Sequence, residues 1–166
     1  MDGKIWRPEI VEFRTVSLKF HAMKIKACNL FLIGAVTLFT GCASNNFGFS
    51  AYEKGDYATA FRGLKPAADE GDKDAQFFMG VIYDKGLGVM TDPVKAARWY
   101  RKAARQGVAA AQFNLGFMYK RGLGVSEDLV HSFRWILKAA RQGFARAQFN
   151  VGYMYGEGEG IPRNRA

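Results

Sequence analysis

The chain has 166 residues, 49% of them hydrophobic and 23% charged, a composition that fits one folded domain with an appendage and excludes a disordered or collagen-like chain. Its net charge is +9, but acidic residues lie between the basic ones along the chain, which favours a solvated surface and no nucleic-acid partner. Two cysteines are too few for a disulfide framework.

The first predicted element is a signal peptide at residues 23–41. A short basic segment, MKIK at 23–26, precedes 13 mostly apolar residues, 27–39. That length is typical of a signal peptide and falls short of the roughly 20 residues that cross a bilayer. The sequence therefore predicts export from the cytoplasm.

The end of this run, TGC at 40–42, resembles the lipobox of bacterial lipoprotein precursors, although Phe39 stands where the box usually has leucine. The resemblance implies that Cys42 is lipidated and anchors the protein to a membrane, with a short polar spacer completing the segment 42–46. Ala43 after the cysteine implies the outer membrane of a Gram-negative cell, with the folded domain facing the periplasm. The alternative is an unmodified cysteine close to a cleavage site.

Residues 1–22 do not belong to this signal, because they place acidic residues and Pro8 ahead of its basic start. We expect Met23 to be the true initiator and the preceding residues to be an over-extended reading frame. The alternative is a cytoplasmic tail on an uncleaved anchor, which would make the protein a membrane-anchored regulator.

A sequence repeat of 36 residues follows: AQFFMGVIYDKGLGV from Ala75, AQFNLGFMYKRGLGV from Ala111 and AQFNVGYMYGEGEGI from Ala147. A period of this length is typical of a solenoid, in which each unit buries a face only against its neighbours. Apolar residues at offsets of four predict a first helix in each unit, and WYRKAARQG or WILKAARQG predicts a second. Mid-helix glycines, which cost about 1 kcal/mol relative to alanine, predict close helix packing at three equivalent positions. These are Gly80, Gly116 and Gly152.

Glycine, aspartate and proline mark the helix boundaries. GLGVMTD and GLGVSED separate the two helices of a unit, and Asp92 or Ser126 can cap the second helix, with Pro93 in its first turn. The Gly-x-Gly pairs neither follow a strand nor continue as a Walker motif, which argues against a phosphate loop. Helix stops are expected at Gly107 and Gly143.

These residues together resemble Sel1-like repeats, relatives of the tetratricopeptide repeat. The resemblance rests on Ala-Gln, the mid-helix glycine, the tyrosine three residues later, Gly-x-Gly-Val, aspartate, and Trp-x-x-x-Ala-Ala-x-x-Gly. It implies an all-α, right-handed α-solenoid of antiparallel helix pairs. Its units would be 72–107, 108–143 and a partial 144–166, after a degenerate tetratricopeptide-like opening unit at 47–71. In that opening unit Pro66 stands inside the second helix, so we expect a kink or a break there.

The last unit is predicted to lack its second helix. The 36-residue period places Asn164 opposite Asp92 and Asp128, where the second helices of the other units begin. The helix at 147–156 would then be without its usual mate. Either the reading frame is truncated, or the exposed face meets a partner.

Enzymatic motifs are absent from the sequence. No serine after the signal is followed by lysine at the third place, and neither Gly-x-Ser-x-Gly nor His-Glu-x-x-His occurs. His131 is the one histidine after the signal and no cysteine cluster accompanies it, so neither a metal nor a cofactor is expected. Some cysteine-rich Sel1-like proteins are hydrolases of the penicillin-binding type, which makes an envelope hydrolase the alternative, but the paired cysteines of that branch are missing here.

We therefore predict a non-catalytic envelope lipoprotein that serves as an interaction scaffold. Solenoids of this type are expected to present their first helices on a concave wall, so specificity lies where the units differ. The partner would be another protein or protein complex at the envelope, with an acidic polysaccharide as a further candidate. The candidate partner-binding residues are Phe78, Val81, Lys85, Asn114, Phe117, Arg121, Asn150, Tyr153 and Glu157.

Overall fold

Helices form all of the regular structure in the part of the chain that the structure describes. This computed structural model describes residues 40–160, with side chains from residue 47 onward. The prediction of an all-α solenoid is confirmed. The helices are α1 Thr40–Glu53, α2 Tyr57–Glu70, α3 Lys73–Lys85, α4 Pro93–Arg105, α5 Ala109–Arg121, α6 Leu129–Arg141 and α7 Ala145–Glu157.

Helices α2 to α7 lie within one compact unit, Ala43–Ala166. Here α3, α5 and α7 are the first helices of the repeats, and α4 and α6 are the second helices. The backbone from Thr40 onward is helical, so the predicted spacer at 42–46 lies within α1. The predictions for residues 1–22, for the signal up to residue 39 and for Asn164 lie outside the described residues.

Aspartate side chains begin four of the helices. Asp56, Asp72, Asp92 and Asp128 each accept a hydrogen bond from the backbone N–H three residues later, at 2.8–3.1 Å. A hydrogen bond with the Thr59 side chain, together with the backbone bond, lowers the pKa of Asp56 below its ordinary value. The backbone bonds are the main cause of the same lowering of the pKa of Asp92 and Asp128. The predicted cap at Asp92 is confirmed. The predicted cap at Ser126 is wrong, because α6 begins at residue 129 and Asp128 stands directly before it.

Helix ends agree with the sequence except at Pro66. Gly107 and Gly143 follow the ends of α4 and α6 with φ of +90° and +82°, so the predicted stops are confirmed. Pro66 lies inside α2, which continues unbroken to Glu70, so of the two expected outcomes, a kink or a break, the break is wrong. Proline frees the carbonyl of Arg62 from its helical hydrogen bond, but Arg62 is exposed and water can bind that oxygen.

The hydrophobic core consists of three clusters, each of which spans two units. In the first, Leu64 of α2 and Met79 of α3 pack with Trp99 of α4. In the second, Tyr100 of α4 packs with Leu115 of α5. The third joins α6 to α7. Because each cluster draws on neighbouring units, a unit alone would leave its apolar face in water.

The mid-helix glycines of α3 and α5 lie directly beneath a side chain of the next helix. A Cβ on Gly80 would stand 2.5 Å from the ring of Tyr100, and a Cβ on Gly116 would stand 2.6 Å from Ile136. The predicted close packing is confirmed at these two positions. At Gly152 it is wrong, since no described atom outside the helix's own neighbouring backbone lies within 4 Å of a Cβ there. The described residues hold no second helix that covers α7.

The Gly-x-Gly turns also connect each unit to the one before it. The second glycine of each turn has a φ between +65° and +68°, a conformation that favours glycine. It rests on the first turn of the preceding second helix, where a Cβ would overlap the backbone. The sequence predicts only a turn at these glycines. The contacts are Gly88 on Tyr57 and Ala58, Gly124 on Pro93, and Gly160 on Leu129.

Alanine should have opposite effects at two equivalent glycines. At Gly116 and Gly152 alike it gains up to about 1 kcal/mol of helix propensity. At Gly116, however, the methyl group would overlap Ile136 and approach the Ser132 carbonyl at 3.0 Å, an overpacking that costs about 1–3 kcal/mol. Urea unfolding should therefore show Gly116→Ala to be less stable than the parent protein and Gly152→Ala to be more stable. A loss of stability in Gly152→Ala would contradict the open environment of that residue.

Ser132 provides a second test of the packing. Its hydroxyl is buried without a hydrogen-bond partner in the described structure, and the equivalent residue of the preceding unit is Ala96, which is equally buried. Because an unsatisfied buried hydroxyl costs about 1–3 kcal/mol, Ser132→Ala should raise the free energy of unfolding by roughly 1 kcal/mol. Ala96→Ser, the matched reverse change, should lower it. If Ser132→Ala is destabilising in urea, the hydroxyl makes a bond in solution.

Candidate protein-binding surface

The nine candidate residues lie on the first helices, three on each at matching positions. Their surroundings divide them into two groups. Five are exposed: Lys85, Phe117, Arg121, Tyr153 and Glu157. The other four are half-buried: Phe78, Val81, Asn114 and Asn150.

Two of the half-buried candidates, Phe78 and Val81, pack within the fold. Phe78 packs edge-on against Phe49 and Tyr52, with ring centroids 5.2 and 4.7 Å apart. Burial raises the pKa of Tyr52 to about 12, and the nearby Tyr57 adds to the shift. Phe78 therefore stabilises the first core cluster, and Val81 packs against the second in the same way.

The two half-buried asparagines are also held by hydrogen bonds. Burial raises the pKa of Tyr100 well above its ordinary value, the charge of Asp84 raises it further, and a hydrogen bond with Asn114 acts in the opposite direction. The Tyr100 hydroxyl lies 3.5 Å from Asp84 Oδ2. Asn150 donates to the Arg146 carbonyl at 2.8 Å. Both asparagines thus have roles within the array.

Exposed aromatic rings beside cations distinguish α5 and α7. Phe117 is 41% exposed, with the Arg121 guanidinium 5.4 Å from its ring, and Tyr153 is 50% exposed, with Lys120 Nζ 5.2 Å from its ring. Lys120 also pairs with Glu159, which lies just after α7. Phe117, Lys120, Arg121 and Tyr153 are referred to below as the aromatic patch. Aromatic and arginine side chains are enriched at the centres of protein interfaces.

Basic residues are concentrated on the two second helices. Helix α4 carries five Lys or Arg and α6 carries three, and neither helix has Asp or Glu, so the expected alternation of charge is wrong there. Lys102 Nζ lies 4.2 Å from the Trp99 ring and Lys138 Nζ lies 4.5 Å from the Trp135 ring. A depression on α6 is lined by all three of its basic residues, Arg134, Lys138 and Arg141. An acidic polysaccharide would meet opposite charge here, and that partner stays a prediction.

A depression beside α1 and α2 contains the residue types that the hydrolase alternative needs. Ser50, Lys54 and Asp56 all line it. The Asp56 carboxylate, however, accepts the Thr59 N–H at 3.1 Å as a helix cap. The Lys54 N–H donates to the Ser50 carbonyl at 3.2 Å, but among the described residues no side-chain hydrogen bond joins Ser50 to Lys54 or to Asp56. A serine nucleophile needs a base within hydrogen-bond reach, and this geometry does not supply one.

Metal and membrane sites are both missing from the described range. No group of three or more His, Cys, Asp and Glu residues between 40 and 160 could hold a metal ion. Over the same range, no helix has the length and the apolar character that crossing a membrane requires. The side chain of Cys42 lies outside the described side chains, so its lipidation stays a prediction.

A solenoid of paired helices with exposed patches on its first helices is the architecture of a helical-repeat protein. The Sel1 repeat model matches residues 73–108, 109–144 and 145–166. The chain belongs to the Sel1 repeat family. Sel1 repeats are generally helical repeats that bind other proteins.

Two solved structures show the same fold. A Sel1 repeat protein from Oxalobacter formigenes is 40% identical with a TM-score of 0.68, and the match covers 72% of this chain and 49% of that one. The protein c5321, a protective antigen present in uropathogenic Escherichia coli strains that displays an SLR fold, is 38% identical with a TM-score of 0.69, and the match covers 74% of this chain and 27% of that one. This chain thus matches about half of the first protein and about a quarter of the second. No curated protein matches the chain with significance.

Proposed function

We propose that this protein is a lipid-anchored scaffold of the cell envelope that binds a partner protein through the first helices of its repeats. The observation that carries this proposal is the aromatic patch, in which Phe117 and Tyr153 stay exposed beside cations. Membership in a family whose repeats generally bind proteins supports it. The proposed role is non-catalytic, and it needs no cofactor.

The aromatic patch suits a protein partner for energetic reasons. Rings held on helices lose little conformational freedom on binding, and burying a Phe or Tyr ring contributes roughly 1.5–3 kcal/mol. The cations Lys120 and Arg121 border these rings. They would select a partner whose acidic side chains surround an apolar centre, because opposite charges speed association and exclude wrong partners.

The anchor is proposed from the sequence. The TGC segment that ends at Cys42 and the apolar run before it support lipidation, and Ala43 supports the outer membrane with the repeats facing the periplasm.

Labelled palmitate should be incorporated into the protein when it is made in a Gram-negative host. Cys42→Ser should abolish the label, because its hydroxyl is a much weaker nucleophile than the thiolate of Cys42. Cys28→Ser, the matched control within the signal, should keep it. Unchanged labelling of Cys42→Ser would contradict the lipid anchor, and peptides from residues 1–22 on the mature protein would favour the uncleaved anchor instead.

A photoreactive amino acid at position 117 or 153 should give one crosslinked adduct of discrete mass in envelope membranes. The same amino acid at Val94 or Val130, which are exposed on the second helices, is the control and should not give it. Phe117→Ala should then lower recovery of the adduct formed from position 153 roughly tenfold, the effect of losing about 1.4 kcal/mol at an interface centre. Equal crosslinking from all four positions would contradict a specific surface on the first helices.

A further inference from the structure

The face of α7 that contains Phe149, Gly152 and Gly156 is bare within residues 40–160. Phe149 is 76% exposed, whereas Phe77, its counterpart on α3, is 6% exposed. Apart from the neighbouring backbone of α7 itself, no described atom lies within 4 Å of a Cβ placed on Gly152 or on Gly156. On α3 and α5 the same face is covered by a second helix. The bare face of α7 therefore has the shape that receives a helix.

The two helices that cover α3 and α5 share one pattern on their packed faces. A fully buried small residue comes first, and a large side chain four residues later covers the glycine. An alanine follows three residues after that, and a glutamine stands three residues further on. These residues are Ala96, Tyr100, Ala103 and Gln106 for α4, and Ser132, Ile136, Ala139 and Gln142 for α6.

The glutamines add a polar contact to the same interface. Nε2 of the second-helix glutamine donates to Oε1 of a first-helix glutamine, at 2.8 Å between Gln106 and Gln76 and at 2.7 Å between Gln142 and Gln112. Gln148 holds the matching position on α7, and its Nε2 donates to a carbonyl of α6 at 3.3 Å. No donor among the described residues reaches its Oε1. This oxygen is therefore available to a glutamine on an incoming helix.

We propose that the bare face of α7 docks an amphipathic helix of a partner protein that carries this pattern: a small residue, Tyr or Ile four residues on, Ala three residues later, and Gln three residues after that. The interface would continue the two that α3 and α5 already make. A second copy of this chain does not fit, because Tyr100 and Ile136 are each 1% exposed and serve their own repeats. Phe117 stays exposed although α6 covers the neighbouring face of α5, and Tyr153 holds the equivalent position on α7. A helix docked on α7 would therefore leave the aromatic patch exposed.

The test uses a fluorescent peptide with the sequence of residues 126–143, which contains the Asp128 cap, all of α6 and Gln142. Titrated into the full chain, it should bind saturably, as measured by fluorescence anisotropy. Gly152→Ala in the protein should weaken binding at least tenfold, because the new methyl group occupies the space that Ile136 of the peptide needs. The same change should not lower the melting temperature of the protein. Gln142→Ala in the peptide should weaken binding severalfold, since Gln148 then loses its donor.

The controls separate this surface from the aromatic patch. Phe117→Ala should leave the affinity for the peptide unchanged, so the failure of either proposal can be recognised without the other. A peptide with Ile136→Asp should not bind. Absence of saturable binding, or equal affinity for Gly152→Ala, would overturn the docking proposal. So would a dimer in sedimentation velocity that Gly152→Ala dissociates, because the face would then belong to a second copy.

Discussion

Contact between main chains at the second glycine of each Gly-x-Gly turn is the constraint on which the array depends. Gly124 rests on the carbonyl of Pro93 and Gly160 on that of Leu129, so closely that any Cβ would overlap a backbone atom. A flexible side chain can change rotamer to relieve an overlap, but a backbone cannot. Each turn therefore packs at only one position on the preceding helix. Two other contacts require the helices to keep that position. Gly116 lies close to Ile136, and the core clusters span two units.

The helices and their period could be predicted because they depend on local chemistry. An N-cap needs only a side-chain oxygen next to the first turn, and Asp92 satisfies that rule. In the next unit both Ser126 and Asp128 satisfy it, and the choice depends on where packing makes α6 begin. The break at Pro66 was a wrong prediction because tertiary contacts outweigh the lost hydrogen bond. Leu64 and Ala67, on either side of the proline, are both buried in the first core cluster and hold the helix together.

The candidate surface could be predicted only in part, because periodicity shows which positions vary and not what contacts them. Phe78 varies among the units, yet it packs on Phe49 of α1, a helix that lies outside the 36-residue repeat in the sequence. Lys120 also varies, with Asp84 and Gly156 at the equivalent positions, but its importance depends on reaching the Tyr153 ring on α7, the first helix of the next repeat. The concentration of basic residues on α4 and α6 was visible in the sequence, and it became informative once those segments were assigned as helices.

The matching hydrogen bonds between units have a consequence for how the length of this protein can evolve. Gln112 donates to the Ala104 carbonyl, and Gln148 donates to the Ala140 carbonyl in the same way. Loss of residues 109–144 in a single genetic event would bring Gln148 to Ala104, with the same donor and the same acceptor. Gly160 would likewise meet Pro93 in place of Leu129. Recombination between repeats can therefore shorten or lengthen the array in steps of 36 residues while it keeps these glutamine and glycine contacts.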